Sequence, residues 1–228
     1  MSIDIVFLGY PGLALLDLSG PLEVLHSIPG ARVQVVAKER KPFASDTGLE
    51  VLPGSTYAEV GRADVVCVPG GAGQIDLMED EPTLEWLRDV AESARYVTSV
   101  CTGAFLLGAA GLLRGYRATT HWASLPLLAS YGATPVEERV VLDRNRLTGA
   151  GVTAGMDMAL RLAELLSSRF VGEAIQLGLE YDPAPPFQAG HPRTAGAAAV
   201  EQVRKRFATR IARRTEQAHR HAADIAAS

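Results

Sequence analysis

The chain has 228 residues, room for one domain of generous size or one domain with an appendage. Its formal net charge is −4, which removes any global pull toward nucleic acid or an anionic membrane. Two cysteines, Cys67 and Cys101, rule out a disulfide framework, and with no signal-like leader and no bilayer-length apolar run they predict a cytoplasmic protein.

Residues 3–8 are an apolar run that reads as a buried strand, broken by Tyr10, Pro11 and Gly12. Ser19 or Gly20 can then cap a short helix, with Pro21 at its first position, running to about residue 28. Residues 32–37 read as a second strand and residues 40–57 as a small strand-and-loop excursion. Val65, Val66, Cys67 and Val68 make a central strand that ends in Gly70-Gly71-Ala72-Gly73. An acidic, Leu-rich helix covers residues 81–93. The β-branched run at 96–100 changes period at Cys101 into a small-residue, Leu-rich helix, the signature of a nucleophile elbow. A short connection over 117–122 precedes a helix at 125–131 that Gly132 ends. Two strands, 136–142 and 146–148, flank the turn 143–145. The Gly-rich passage 149–155 leads into a helix over 156–166 that resumes after a break to about 179. Strands alternating with helices, with central strands apolar throughout, predict an α/β fold. Its mostly parallel central sheet carries helices on both faces, a flavodoxin-like sandwich. Residues 1–182 form the expected catalytic domain. Residues 183–228, a Pro-rich linker and a basic helix striped by Val200, Val203, Phe207 and Ile211, are expected to pack on the body or on a dimer partner. Some forty residues are too few for a helix-turn-helix DNA reader with its supports.

Cys101 is the natural nucleophile. At an elbow its thiol sits beside unpaired first-turn N–H groups and the positive end of a helix dipole, which favours thiolate. A buried structural cysteine is the alternative, and it is the simpler reading of Cys67. Thr102, not His, follows Cys101, so no base adjoins it in sequence. Asp17 lies between Leu16 and Leu18, an apolar surround that raises a carboxyl pKa, and it serves either as an acid/base for the thiol or as a helix cap. Gly70 and Gly71, with the N–H of Thr102, can make an oxyanion-type pocket or an ordinary turn. His121 touches the site or packs structurally, and Ala150 and Val152 line the pocket or a close helix approach. His191, His219 and His221 read as solvated. No cluster has metal-ligand spacing, so no metal is expected.

The stretches Val66-Cys67-Val68-Pro69-Gly70-Gly71, Ser99-Val100-Cys101-Thr102-Gly103 and Thr119-Thr120-His121-Trp122 together resemble the ThiJ/PfpI superfamily of class I glutamine amidotransferase-like folds, over residues 3–182. Asp17-Leu18-Ser19-Gly20-Pro21, the run 94–103 and the run 179–187 resemble the branch of that superfamily that hydrates isocyanides. The resemblance implies a cofactor-free homodimer acting on a small-molecule isocyanide, with no nucleic-acid partner. Cys101 would be the nucleophile, Asp17 its acid/base partner and Thr102 a neighbour in the site. The reaction would carry R–N≡C to an N-substituted formamide through a thioimidate on Cys101. Two departures from the wider superfamily narrow the field. Asp17 stands where many members have Glu, which disfavours glyoxalase-like action on reactive aldehydes. Thr102 stands where protease-like members have His. A cysteine redox sensor and the sensing domain of a transcription regulator are the non-enzymatic alternatives.

Overall fold

A computed structural model describes residues 2–227, with side chains described through residue 222. In chain order the elements are β1 (Ile3–Leu8), α1 (Leu15–His26), β2 (Ala31–Ala37), β3 (Phe43–Ala44), β4 (Glu50–Val51), β5 (Ser55–Thr56), β6 (Val65–Val68), α2 (Gln74–Leu77) and α3 (Glu81–Ser93). There follow β7 (Tyr96–Val100), α4 (Ala104–Ala109), β8 (Arg117–Ala118), β9 (Thr134–Pro135), β10 (Val140–Asp143), β11 (Arg146–Gly149), α5 (Ala154–Leu166), α6 (Arg169–Gly178) and α7 (Ala197–Ala227). Among the described residues the main sheet has seven strands in the order β10-β11-β7-β6-β1-β2-β5. Its neighbours run parallel except β10, which pairs antiparallel with β11.

All four residues of β6 are buried, as are the last four of β7, because helices cover both faces of the sheet. This is the arrangement that the apolar central strands predict. The carboxyl ends of β1, β6 and β7 lie side by side, and the loops that leave them meet there.

Several boundaries differ from expectation for definable reasons. Helix α1 begins at Leu15 rather than at Pro21, so Pro21 sits in its interior and Asp17 in its first turn. The ring is accommodated by close packing: a Cβ on Gly155 of α5 would lie 2.9 Å from Pro21 Cγ. The strand expected from residue 136 begins at Val140. The residues before it are engaged elsewhere, with β9 pairing with β8 and the Val136 N–H donating to the Ala118 carbonyl at 2.9 Å. The segment 122–131 is a 3-10 helix longer than the 125–131 expected, and it ends on Gly132 at φ 73°. Ser168 caps α6 by accepting from the Val171 N–H at 3.3 Å, which sets the break after α5.

Helix α7 lies on the 3-10 helix 122–131 and on α2. One stripe faces inward at heptad spacing. Phe207 meets the His121 ring edge-on at 5.6 Å, Arg214 Nε donates to Gln74 Oε1 at 2.9 Å, and His221 stacks on Tyr131 at 4.7 Å. His221 is therefore not the solvated residue expected, whereas His219 is exposed.

Candidate active site

Cys101 follows β7 directly and has φ 54°, a left-handed conformation that costs a non-glycine residue roughly 1–2 kcal/mol. Three features hold it there. The Thr120 hydroxyl donates to the Cys101 carbonyl at 2.6 Å. Gly103 lets the elbow close, since a Cβ there would lie 2.0 Å from the Val68 carbonyl oxygen. Helix α4 is packed behind the turn, its Leu106 and Leu107 fully buried.

Asp17 is fully buried. Its Oδ2 accepts from the Gly70 N–H at 2.9 Å, and its Oδ1 has no hydrogen-bond partner among the described residues. Burial pushes the Asp17 carboxyl up to about 7, against the opposing pull of the Gly70 N–H and, more weakly, of the Cys101 thiol. Carboxyl and thiol are thus neighbours, although 84 positions separate them in the chain. Burial, and then the charge of Asp17, push the Cys101 thiol well above its ordinary range, outweighing the Thr102 N–H that favours its anion. The thiolate expected from the helix dipole is therefore not the resting form. The elbow is dry, and desolvation exceeds what a single turn of N–H groups supplies.

The Gly70 and Gly71 N–H groups are not free oxyanion donors. Gly70 spends its N–H on Asp17, and Gly71 donates to Thr102 Oγ1 at 3.1 Å. They serve the site by fit. A Cβ on Gly70 would lie 2.6 Å from the Thr102 nitrogen and 2.8 Å from Asp17 Oδ2. Beneath them the buried Tyr10 hydroxyl donates to the Pro69 carbonyl at 2.7 Å and fixes the turn.

His121, Ala150 and Val152 lie apart from those glycines. With Trp122, Leu125 and Phe187 they wall a cavity of about 550 Å3, which Thr120, the residue that donates to the Cys101 carbonyl, also lines. His121 Nδ1 accepts from the Ala123 N–H at 3.3 Å and caps the 3-10 helix. Burial lowers its pKa to about 4, so at pH 7 the ring is the neutral imidazole, with its Nδ1 lone pair engaged by the Ala123 N–H. Cys67 is buried in β6, and burial raises its thiol to about 12, as befits a core residue. Among the described residues no group of three His, Cys, Asp or Glu is placed to hold a metal ion.

Sequence reasoning missed Thr120, Gln74 and Arg214. Gln74 is fully buried at the start of α2, and Arg214 is nearly so. Thr120 stood within a quoted motif, and its role follows only from the bond to Cys101. The Gln74–Arg214 contact spans 140 positions, which no local pattern signals.

An elbow cysteine paired with a buried carboxyl, at the carboxyl edge of a flavodoxin-like sheet, defines a class of cysteine-centred α/β proteins. The chain belongs to the DJ-1/PfpI family, whose pattern matches residues 4–165. It is 52% identical over 225 residues, covering 99% of both chains, to the isonitrile hydratase of Pseudomonas putida. The crystal structure of a ThiJ/PfpI family protein from Pseudomonas syringae superposes with a TM-score of 0.93 at 42% identity, covering 96% of this chain and 91% of that one. A partial likeness, 35% over 138 residues, links 60% of this chain to 37% of the HTH-type transcriptional regulator GbdR of Pseudomonas aeruginosa strain UCBPP-PA14. Among the described residues no helix is long and apolar enough to cross a membrane.

Proposed function

We infer that this chain is an isocyanide hydratase, converting R–N≡C and water to the N-substituted formamide. The full-length likeness to the Pseudomonas putida isonitrile hydratase supports the activity. The observation that carries the chemistry is the pairing of Cys101 with a buried carboxyl of pKa about 7. Near pH 7 and above, the pair holds one proton, on sulfur in the resting state. Asp17 takes that proton as sulfur bonds to the terminal isocyanide carbon, then delivers it to the same carbon. The product is the thioimidate R–N=CH–S–Cys101, and Asp17 is again a carboxylate. A water then loses a proton to Asp17 while its oxygen bonds to the carbon, and Asp17 passes that same proton to the nitrogen. The tetrahedral adduct R–NH–CH(OH)–S–Cys101 collapses to R–NH–CHO, and the hydroxyl proton returns to the departing sulfur. Covalent capture divides one hard hydration into two easier steps.

A thiol only 7% exposed suits a slender head group, and the cavity of His121, Ala150 and Val152 is our assignment for the substituent R. Thr102 sets the turn that presents the Gly70 N–H to Asp17. We further propose a homodimer, supported by the exposed Leu16 on α1 and Phe170 and Leu177 on α6. Two unpaired buried cysteines suit a reducing cytoplasm.

Incubating the chain with an aryl isocyanide should give the matching formamide by mass spectrometry. Cys101→Ala should abolish it, and Asp17→Ala should reduce it by at least about a hundredfold, the usual scale of lost acid/base catalysis. Full activity in either variant, or turnover of methylglyoxal in place of isocyanide, would overturn the assignment.

A further inference from the structure

Arg214 is a basic residue of the C-terminal helix that is buried rather than solvated, at 6% exposure. Its neighbours on α7 find carboxylates: Arg213 pairs with Asp76 and Arg220 with Glu79. Among the described residues Arg214 has no carboxylate partner, and its Nε donates instead to the neutral amide of Gln74. A buried cation demands a counter-charge. Two contacts locate what it faces. Seven residues earlier on the same stripe, Phe207 meets His121, the residue after the Thr120 that clamps the Cys101 carbonyl. At Arg214 itself the partner is Gln74, which follows the Gly70–Gly73 turn that holds Asp17 and Thr102. Helix α7 therefore spans the two loops on either side of Cys101.

We infer that Arg214 is a positioning residue for the Cys101–Asp17 pair, its guanidinium countering the charge on sulfur when the proton passes to Asp17. The inference rests on Cys101 being the nucleophile. The titratable and charged groups facing Cys101 and Arg214 are Asp17 on α1, Tyr10 after β1, Asp46 after β3, His121 and Tyr131 at the ends of the 3-10 helix, and Arg210 on α7. Charge on Cys101 stabilises the Arg214 cation, and Arg214 in turn favours the Cys101 anion. The basic tail helix thereby belongs to the active site rather than to any nucleic-acid surface.

The test uses the full-length chain and reads the thiol directly. Iodoacetamide alkylation of Cys101, located by mass spectrometry, is followed from pH 7 to 10 in the parent, R214M, R214K and R213M, because its rate tracks the small thiolate fraction. R214M should slow alkylation about tenfold at every pH, a displacement of the rate curve by about one unit. R214K should restore most of the parent behaviour. R213M, which breaks only an exposed docking ion pair, should leave the curve in place. A curve for R214M that superimposes on the parent, or an equal displacement in R213M, overturns the inference. If R214M loses its near-ultraviolet circular dichroism, R214K decides: retained charge predicts a curve within a few tenths of a unit of the parent, and a full-unit displacement sinks the idea. No isocyanide enters the measurement, so a parent that alkylates without hydrating isocyanides would refute the proposed function alone.

Discussion

At the scale of single residues, Asp17 sets two pH dependences. The competent pair carries one proton, and below pH about 7 it carries two, one on each group. Activity on an isocyanide, as kcat/KM, should therefore rise with pH through about 7 and then level off, because the Cys101 thiol loses its proton only far above that. A profile that falls through 7 would mean that a doubly protonated pair is the active form. Stability follows the opposite course. The folded pKa of Asp17 lies above its unfolded value near 4, so folding takes up a proton. The stability from that uptake is complete below about pH 4 and is lost as pH rises through 7. Asp17→Asn, which keeps an acceptor for the Gly70 N–H, should stabilise the chain by roughly 2–4 kcal/mol at pH 8 relative to its effect at pH 4. Urea midpoints at the two pH values check this, and an equal shift at both would contradict a buried anionic carboxylate. The role of Asp17 was half legible in the sequence. Leu16 and Leu18 announced an apolar surround, but the Gly70 N–H that holds the carboxyl lies 53 positions away.

At the scale of elements, the site depends on turns too tight for a side chain. Gly103→Ala would drive a methyl into the Val68 carbonyl at the end of β6, a backbone atom that cannot step aside. We expect a loss of at least about 3 kcal/mol in denaturant titration. Gly70→Ala meets the backbone nitrogen of Thr102 and also Asp17 Oδ2, so it should cost both stability and kcat; unchanged turnover would show that the turn tolerates a methyl. The elbow itself could be read from the sequence, because β-branched residues give way at Cys101 to Ala, Leu and Gly. The start of α1 could not. Pro21 is a strong helix-opening signal, yet it lies inside α1, its ring packed closely against Gly155 of α5. The hydrogen bonds that Gly70 and Gly71 donate were hidden for a related reason. Their N–H partners, an Asp and a Thr from other elements, are tertiary facts that a Gly-Gly pair does not announce.

At the scale of the whole molecule, the sheet and its parallel sense followed from composition, while the placement of the tail did not. The stripe of Val200, Val203, Phe207 and Ile211 marked an apolar face on α7, yet the surface it covers is built from residues far upstream, Gln74, Ile75 and His121. The proposed homodimer is tested by Leu177→Glu combined with Phe170→Glu, which should halve the mass seen by sedimentation at micromolar concentration; an unchanged mass would place the interface elsewhere. The left-handed φ of Cys101 has a consequence of a different kind. Glycine adopts that backbone without the Cβ clash, but it also widens the unfolded ensemble and gives up a buried side chain, so Cys101→Gly should leave the melting temperature within a few degrees of the parent. Asp17→Asn goes further and stabilises the chain at alkaline pH. A directed-evolution campaign that scored heat resistance alone would therefore do nothing to keep the two side chains to which we assign the chemistry.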